Sequence, residues 1–165
     1  MKNLVIILIL TILASPAIAE IKYNKTIDEM TDAETHAMFL SSENMGRYRS
    51  DGPAYIAYRC SKGKSELLLK TGEYIGDTPR GFDYRFDKKE QVEVRRSTNL
   101  SSSTNNKVTF LTAGLKRKFI GLIEKSSTLS LRNYDYSGVS EAVYKFKLNG
   151  TEAIINKVNA AGGCN

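Results

Sequence analysis

The chain has few of the residues on which nucleophilic and metal chemistry depend. Its 165 residues include one histidine, two cysteines and no tryptophan. His36 lies near no nucleophile motif of the G-x-S-x-G kind, which argues against Ser–His or Cys–His catalysis, and we expect a surface or partly packed residue. No further histidine or cysteine accompanies Cys60 or Cys164, so we expect no zinc site.

The sequence also lacks the motif of a nucleotide site and gives little support to hydrolysis. No two glycines have the G-x-x-x-x-G-K-S/T spacing of a phosphate loop. Asp83 and Asp87 lie on one face of a predicted strand about 13 Å apart, whereas a glycoside hydrolase needs two carboxyl groups roughly 5–10 Å apart. We interpret these two residues as solvated charges and expect neither enzymatic activity nor a cofactor.

A second long hydrophobic segment is missing, and the one that is present has the features of a secretory signal. Lys2 provides a positive start, residues 4–13 form an apolar run, and small residues at 17–19 provide a cleavage site. The apolar run is much shorter than the roughly 20 residues of a membrane-spanning helix. The sequence therefore predicts cleavage after Ala19 and a periplasmic or secreted mature chain, residues 20–165, with no stable membrane span.

Basic residues outnumber acidic residues in the predicted mature chain. The signal holds one of the 24 Lys and Arg residues and none of the 18 Asp and Glu residues, so the mature net charge is 23 minus 18, or +5. Export places the chain where nucleic acid is scarce, so we expect no nucleic acid as partner and consider an acidic protein face, an anionic envelope polymer or lipid headgroups instead. The simpler alternative is a soluble surface that is basic without binding any of them. The candidate partner-binding residues are two tyrosines in a predicted turn and two basic clusters: Tyr134, Tyr136, Arg95, Arg96, Lys116, Arg117 and Lys118.

The two cysteines are predicted to form a disulfide. An even number of cysteines in an exported chain favours a disulfide over free thiols. Cys60 lies in a predicted strand and Cys164 just past a predicted helix, so the bond would fasten that helix to the sheet. The chain-entropy model credits the closure of a loop of about 100 residues with about 4.7 kcal/mol.

Alternating hydrophobic patterns predict one β-rich domain over residues 20–165. Strands are expected at 22–28, 55–60, 66–71, 82–86, 92–95, 107–112, 128–133 and 141–148, with loops at 42–53 and 97–106. Residues 35–41 are apolar on both sides and cannot be assigned by periodicity. A helix is expected around 115–124, and a second begins after a cap at Asn149 and ends at Gly162 and Gly163. Because the strands come in hairpins, we predict a mainly β (α+β) antiparallel sandwich or open barrel with two short helices.

The order of several short motifs resembles the VasI-type proteins associated with type VI secretion. The blocks that carry the resemblance are residues 30–32, 57–60, 64–69, 74–76, 83–87, 131–132, 136–138 and 146–148, followed by Gly150 and the helix that ends at Cys164. The resemblance implies an exported envelope domain, found with secretion genes and also with phage-derived genes. It brings no catalytic residue to this chain, which also differs from the family pattern in lacking tryptophan.

We therefore predict an exported, non-enzymatic accessory protein of an envelope or type VI secretion system. It would bind another envelope protein through its sheet face or through the turn tyrosines. The alternative is a phage- or prophage-encoded exported protein that blocks an envelope target, such as a cell-wall hydrolase or an injection component. The basic mature chain favours an acidic target in that case.

Overall fold

The computed structural model describes residues 20–45, 52–71, 81–95, 100–102, 108–134 and 141–164. The predicted signal, residues 1–19, lies outside these ranges. Within them the chain forms strands and helices in this order: β1 (Ile21–Ile27), β2 (Glu34–Met45), β3 (Pro53–Ser61), β4 (Lys64–Lys70), β5 (Gly81–Phe86), β6 (Val92–Arg95), β7 (Leu100–Ser102), β8 (Val108–Leu111), α1 (Ala113–Ile123), β9 (Thr128–Tyr134), β10 (Glu141–Lys147) and α2 (Thr151–Gly162).

The strands form two antiparallel sheets, which confirms the predicted mainly β fold with two helices. The larger sheet has six strands in the order β1-β2-β3-β4-β8-β7, and the smaller has four in the order β10-β9-β5-β6. Every described pairing is antiparallel, and neither sheet closes into a barrel within the described strands. Of the two predicted architectures, sandwich and open barrel, the structure therefore matches the two-sheet sandwich.

One hydrophobic core lies between the buried faces of the two sheets and the two helices. Phe119 of α1 is fully buried, and its ring contacts Tyr84 and Phe86 edge to face at centroid distances of 5.1 and 5.2 Å. Ile155 and Val158 of α2 are fully buried as well. The alternation of aromatic and charged residues in β5 therefore places the aromatic side chains in the core, as the sequence predicts.

The disulfide between Cys60 and Cys164 is confirmed, and it joins β3 to the end of α2. The two Cα atoms are 6.1 Å apart and the cysteines are separated by 104 residues. A Cβ atom on Gly162 would lie 2.3 Å from the Cys60 Sγ atom, so only glycine fits where the helix passes over the disulfide. The Gly63 amide donates to the Gly162 carbonyl at 3.0 Å, which adds a backbone hydrogen bond between the β3–β4 turn and the helix end.

Three local predictions are wrong, each because a tertiary contact or a neighbouring residue prevails over local composition. Residues 42–45 continue β2 and Pro53 begins β3, where a loop was expected, because the Ser42 hydroxyl accepts a hydrogen bond from the Ala54 amide at 2.9 Å. Part of the polar segment 97–106 is strand β7, which pairs with β8. The N-cap of α2 is Gly150 with φ of 88°, not Asn149, and this backbone conformation suits glycine.

Candidate functional site

The outer face of the six-stranded sheet, which points away from the core, carries a row of apolar side chains. Strand register places Phe39 opposite Ala57, Ala57 opposite Leu68, and Leu68 opposite Phe110. Phe39 is 38% exposed, although the residues beside it in β2 are buried. Outward positions of an antiparallel sheet are usually polar, so an apolar row there indicates a surface that contacts something else.

A groove of about 410 Å³ lies on this apolar row. Its apolar lining consists of Ala37, Phe39, Tyr55, Ala57, Leu68 and Val108. Ala37 and Ala57 fill little space between larger neighbours, and this difference in side-chain size produces the depression. The volume falls within the roughly 300–1,000 Å³ range of binding pockets for small apolar groups. We call this feature the apolar groove.

The margins of the apolar groove are charged. Arg59 lines it and forms an ion pair with Glu66, its cross-strand partner in β4. Lys70 also lines the groove, is exposed, and has no ion-pair partner among the residues that the structure describes. An acidic group arriving with a ligand can therefore pair with Lys70 without breaking any ion pair within the described part of the chain.

Lys22 lies next to the groove, directly opposite Phe39 in the sheet. Its ammonium group is 2.8 Å from the Glu20 carboxylate, and the hydrogen bond to Glu20 raises the pKa of Lys22. Glu20 is the residue at which the predicted mature chain would begin. The backbone nitrogen of Glu20 donates to the Ser41 hydroxyl at 3.2 Å, so the start of the described chain is bound to β2.

The outer face of the four-stranded sheet is different, because it has a buried carboxyl group near its centre. Asp83 is 2% exposed, which contradicts our expectation of a solvated charge. Its Oδ2 atom accepts hydrogen bonds from the Tyr134 hydroxyl at 2.6 Å and the Gln91 amide at 2.9 Å, and it lies 3.8 Å from the Arg132 Nη1 atom. Burial is possible because these polar groups replace the water that a carboxyl group loses.

A second pocket, of about 220 Å³, lies beside Asp83. Its lining includes Arg85, Gln91, Ser130, Arg132 and Val143, all from the four-stranded sheet or the β5–β6 turn. The pocket is therefore polar and flanked by two guanidinium groups, in contrast to the apolar groove on the other sheet. We call it the arginine pocket.

Asp87, the other carboxylate considered for hydrolysis, joins two strands at their ends. Its Oδ1 atom accepts hydrogen bonds from the Thr128 and Ser127 amides, each at 3.0 Å, and from the Thr128 hydroxyl at 3.3 Å. These bonds, the Thr128 amide foremost, lower the pKa of Asp87. The Asp87 carboxylate therefore holds the start of β9 in place through these hydrogen bonds.

His36 is buried in β2, at 4% exposure, where a surface or partly packed residue was expected. The Tyr23 hydroxyl is 2.7 Å from its Nδ1 atom, and the Glu34 Oε2 atom is 3.2 Å from Nε2 but out of line for a hydrogen bond. The pKa of Glu34 is lowered, chiefly by the hydrogen bond that it accepts from Lys25. A Glu–His–Tyr arrangement can transfer a proton, but these residues line neither the apolar groove nor the arginine pocket.

The predicted partner-binding residues are not gathered into one described site. Tyr134 ends β9 and does not lie in a turn, and its hydroxyl is bound to Asp83. The Lys116 ammonium group donates to the Ser65 carbonyl at 2.7 Å, so it ties α1 to β4. Arg117 and Lys118 are exposed on the same helix. A binding role for these residues stays a prediction.

Three of the predicted residues fall wholly or partly outside the described part of the chain. Tyr136 and Arg96 lie outside it, and Arg95 ends β6 with only its backbone described. The predicted turn at 135–138 and the block at 74–76 also lie outside it.

Sequence reasoning missed the apolar groove, although one signal for it was present. Residues 35–41 are apolar on both sides, and Leu67, Leu68 and Leu69 in β4 form a second such run. A strand with apolar residues on both sides has either two buried faces or an apolar outer face. Deciding between these requires the layer arrangement, which the sequence does not give.

No three His, Cys, Asp or Glu side chains of the described ranges are grouped closely enough to hold a metal ion. Neither described helix has the length and hydropathy needed to cross a membrane. A scan against protein-family models found no match, and searches of the curated proteins and of the solved structures found none either. The similarity to VasI-type proteins therefore stays a prediction.

Proposed function

We propose that this chain is an exported, non-enzymatic accessory protein that binds an apolar segment of another envelope protein in the apolar groove. The observation that carries the proposal is the apolar row on the outer face of the six-stranded sheet, where Phe39 is 38% exposed. Large exposed apolar patches on soluble domains usually mark interaction sites. The resemblance to VasI-type proteins suggests a type VI secretion component as the partner.

Export is supported by two independent features. The N-terminal segment has the charge, apolar run and small residues of a cleavable signal. The disulfide between Cys60 and Cys164 is of the kind that persists in oxidising compartments such as the periplasm. Mass spectrometry of the secreted or periplasmic protein is expected to give an N-terminus at Glu20, and retention of residues 1–19 would contradict cleavage.

Charge at the groove margin selects the kind of segment that binds. Lys70 and Arg59 lie at the groove, and Arg59 is already neutralised by Glu66. Lys70 is therefore the position at which a carboxylate of the partner gains most. We expect the partner segment to place one or two apolar side chains over Ala57 and an Asp or Glu near Lys70.

Site-specific photo-crosslinking tests this proposal directly. A photo-reactive phenylalanine analogue replaces Phe39 in the full-length protein, and cells are irradiated before the envelope is isolated. We expect one dominant crosslinked protein, because the analogue lies inside the binding surface. The matched control carries the analogue at Met30, an exposed apolar residue between β1 and β2 that lines neither the apolar groove nor the arginine pocket, and is expected to give no such product.

A second variant separates groove binding from simple proximity. Ala57→Leu fills the apolar groove from its floor and leaves the core-facing residues unchanged, so we expect the fold to persist with a stability change within about 0.5 kcal/mol. The Phe39 crosslink should be lost in this variant and kept when Lys64 is replaced by Gln. A crosslink that survives Ala57→Leu, or one that yields only lipid, would contradict a protein segment in the groove.

A further inference from the structure

We infer that the outer face of the four-stranded sheet binds a phosphate group in the arginine pocket, around Ser130. This site is separate from the apolar groove, and the inference does not depend on the proposed function. Its ligand would be recognised by the side chains of Arg85, Arg132 and Lys145 together with the Ser130 hydroxyl.

Strand register brings these side chains together. Ser130 of β9 lies directly opposite Arg85 of β5 on one side and opposite Lys145 of β10 on the other. Directly paired residues have Cβ atoms about 4.5–5.5 Å apart, within reach of a shared ligand for long basic side chains. Arg132 lies two positions along β9, on the same face and about 7 Å from Ser130.

The two guanidinium groups are held in place by contacts with the protein. The Arg85 Nη2 atom donates to the Lys88 carbonyl at 3.1 Å, and the Arg132 Nη1 atom lies 3.8 Å from the Asp83 carboxyl group. Asp83 in turn is fixed by Tyr134 and Gln91. Side chains that are already ordered lose less conformational entropy when a ligand binds, so the arrangement favours binding.

The hydrogen-bond donors of the site suit phosphate better than a carboxylate. Arg85 and Arg132 line the arginine pocket together with Asp83, and Lys145 lies beside the pocket, opposite Ser130 in the sheet. Glu93, opposite Asp83 on the same face, adds a second negative charge at the far side of Asp83. A phosphate monoester carries about −1.5 to −2 at neutral pH and offers three acceptor oxygens. Arginine pairs with such oxygens through two parallel hydrogen bonds, and the hydroxyl adds a further donor. The pocket volume of about 220 Å³ accommodates a group of this size.

Calorimetric titration of the mature, disulfide-bonded protein with inorganic phosphate at low ionic strength tests the inference. The double variant Arg85→Gln/Lys145→Gln removes two exposed charges from the site and keeps the Asp83–Arg132 contact. We expect its affinity for phosphate to fall about tenfold or more. The control, Lys62→Gln/Lys64→Gln, removes the same charge from exposed positions at the β3–β4 hairpin, outside both pockets, and should change the affinity less than about twofold.

Ser130→Ala provides a variant that alters no charge. It should weaken phosphate binding about threefold to tenfold, because one hydrogen-bond donor is lost. The thermal unfolding midpoint of each variant is measured alongside, and the inference is judged on variants that fold. An equal loss in the control double variant, no binding of phosphate by the wild type, or equally tight binding of acetate would overturn it.

A phosphate group can come from a lipid headgroup or from a soluble compound, and two probes distinguish these sources. Phosphatidylcholine vesicles that contain phosphatidic acid test the lipid source by flotation, and glycerol phosphate tests the soluble source. Binding of either, if lost in Arg85→Gln/Lys145→Gln, supports the phosphate site and identifies the source. Binding of neither overturns the inference.

Discussion

The two sheets share one core but present opposite kinds of surface on their outer faces. The six-stranded sheet presents Phe39, Ala57 and Leu68 in the apolar groove. The four-stranded sheet presents Arg85, Arg132 and their polar neighbours around the arginine pocket. Folding constrains the core-facing residues far more than the outward ones, so the two outer faces can differ in polarity and charge although the sheets share one core.

The two sheets also differ in how they are fastened. The six-stranded sheet is joined to α2 by the covalent bond between Cys60 and Cys164. The four-stranded sheet has no disulfide among its described residues and is held by polar contacts around Asp83 and Asp87. The disulfide stabilises the fold largely by restricting the unfolded state. The polar contacts stabilise it through the charge and hydrogen-bonding capacity of single side chains.

The largest effect is expected when the covalent fastening is removed. Cys60→Ser/Cys164→Ser should lower the free energy of unfolding by about 2–5 kcal/mol, because the unfolded chain regains the freedom of a loop of about 100 residues. Hydrogen exchange should increase more in α2 and β1–β3 than in β5 and β9. Equal increases in the exchange rates of both sheets would contradict a stabilising effect confined to the six-stranded sheet. Reduction of the disulfide in the wild-type protein should give the same pattern of exchange rates.

The next effect is expected at Asp83 in the four-stranded sheet. Asp83→Ala leaves Tyr134, Gln91 and Arg132 without the acceptor that they share, and it should lower the free energy of unfolding by about 3 kcal/mol. Asp83→Asn keeps one acceptor oxygen and should cost less. Chemical denaturation measures both. Glu90→Ala, at an exposed position between β5 and β6, is the control, and an equal cost there would refute a special role for the buried group.

Two tyrosines allow a smaller, paired test of the outer and inner faces of the four-stranded sheet. Tyr134→Phe removes the hydroxyl that donates to Asp83 and should destabilise the fold by about 1–2 kcal/mol. Tyr84→Phe removes a core-facing hydroxyl that has no described hydrogen-bond partner, and should stabilise the fold by roughly 1 kcal/mol. Burial also raises the pKa of Tyr84. Thermal unfolding of both variants at neutral pH is the measurement. Changes of the same sign in the unfolding midpoint would contradict the conclusion that the Tyr134 hydroxyl stabilises the fold and the Tyr84 hydroxyl does not.

The smallest expected effect is a pH dependence at Asp87. Hydrogen bonds from the Thr128 and Ser127 amides lower its pKa below the ordinary value of 3.8. The folded state therefore binds the proton less tightly than the unfolded state, so this contribution to stability is present above the ordinary pKa and is lost as the pH falls through the lowered one. Thermal unfolding of wild type and Asp87→Asn is measured from about pH 5 to pH 2. The difference between their unfolding midpoints should shrink as the pH falls. A difference that stays constant over this range would contradict a stabilising role for the ionised Asp87 carboxylate.

Much of the architecture was predictable because it depends on local pattern. The alternation in 82–86 predicts β5 and its aromatic inner face, and the spacing of Leu115, Phe119 and Ile123 predicts α1. The pairing of Cys60 with Cys164 followed from their number and the predicted compartment. These features require only the sequence positions of apolar residues and cysteines.

Other features depended on neighbours that are distant in the sequence. Strand β7 lies in a serine-rich segment and is fixed by its pairing with β8. The alternation in β5 predicts a solvated charge at Asp83, whereas the fold buries it beneath Tyr134, which is 51 positions away in the sequence. The arginine pocket likewise requires that β9 lie between β5 and β10, an order that hairpin patterns do not give.

The sequence by itself determined that this protein is a β-rich domain with a disulfide between Cys60 and Cys164, because hydrophobic alternation and cysteine count are local or countable properties. Tertiary structure alone decided which faces point outward, that Asp83 is buried, and that Ala57 lies at the floor of a groove. The physical reason is that burial depends on which strands become neighbours. Alternation separates the two faces of a strand, and only the packing of the sheets decides which of those faces meets the core and which points outward.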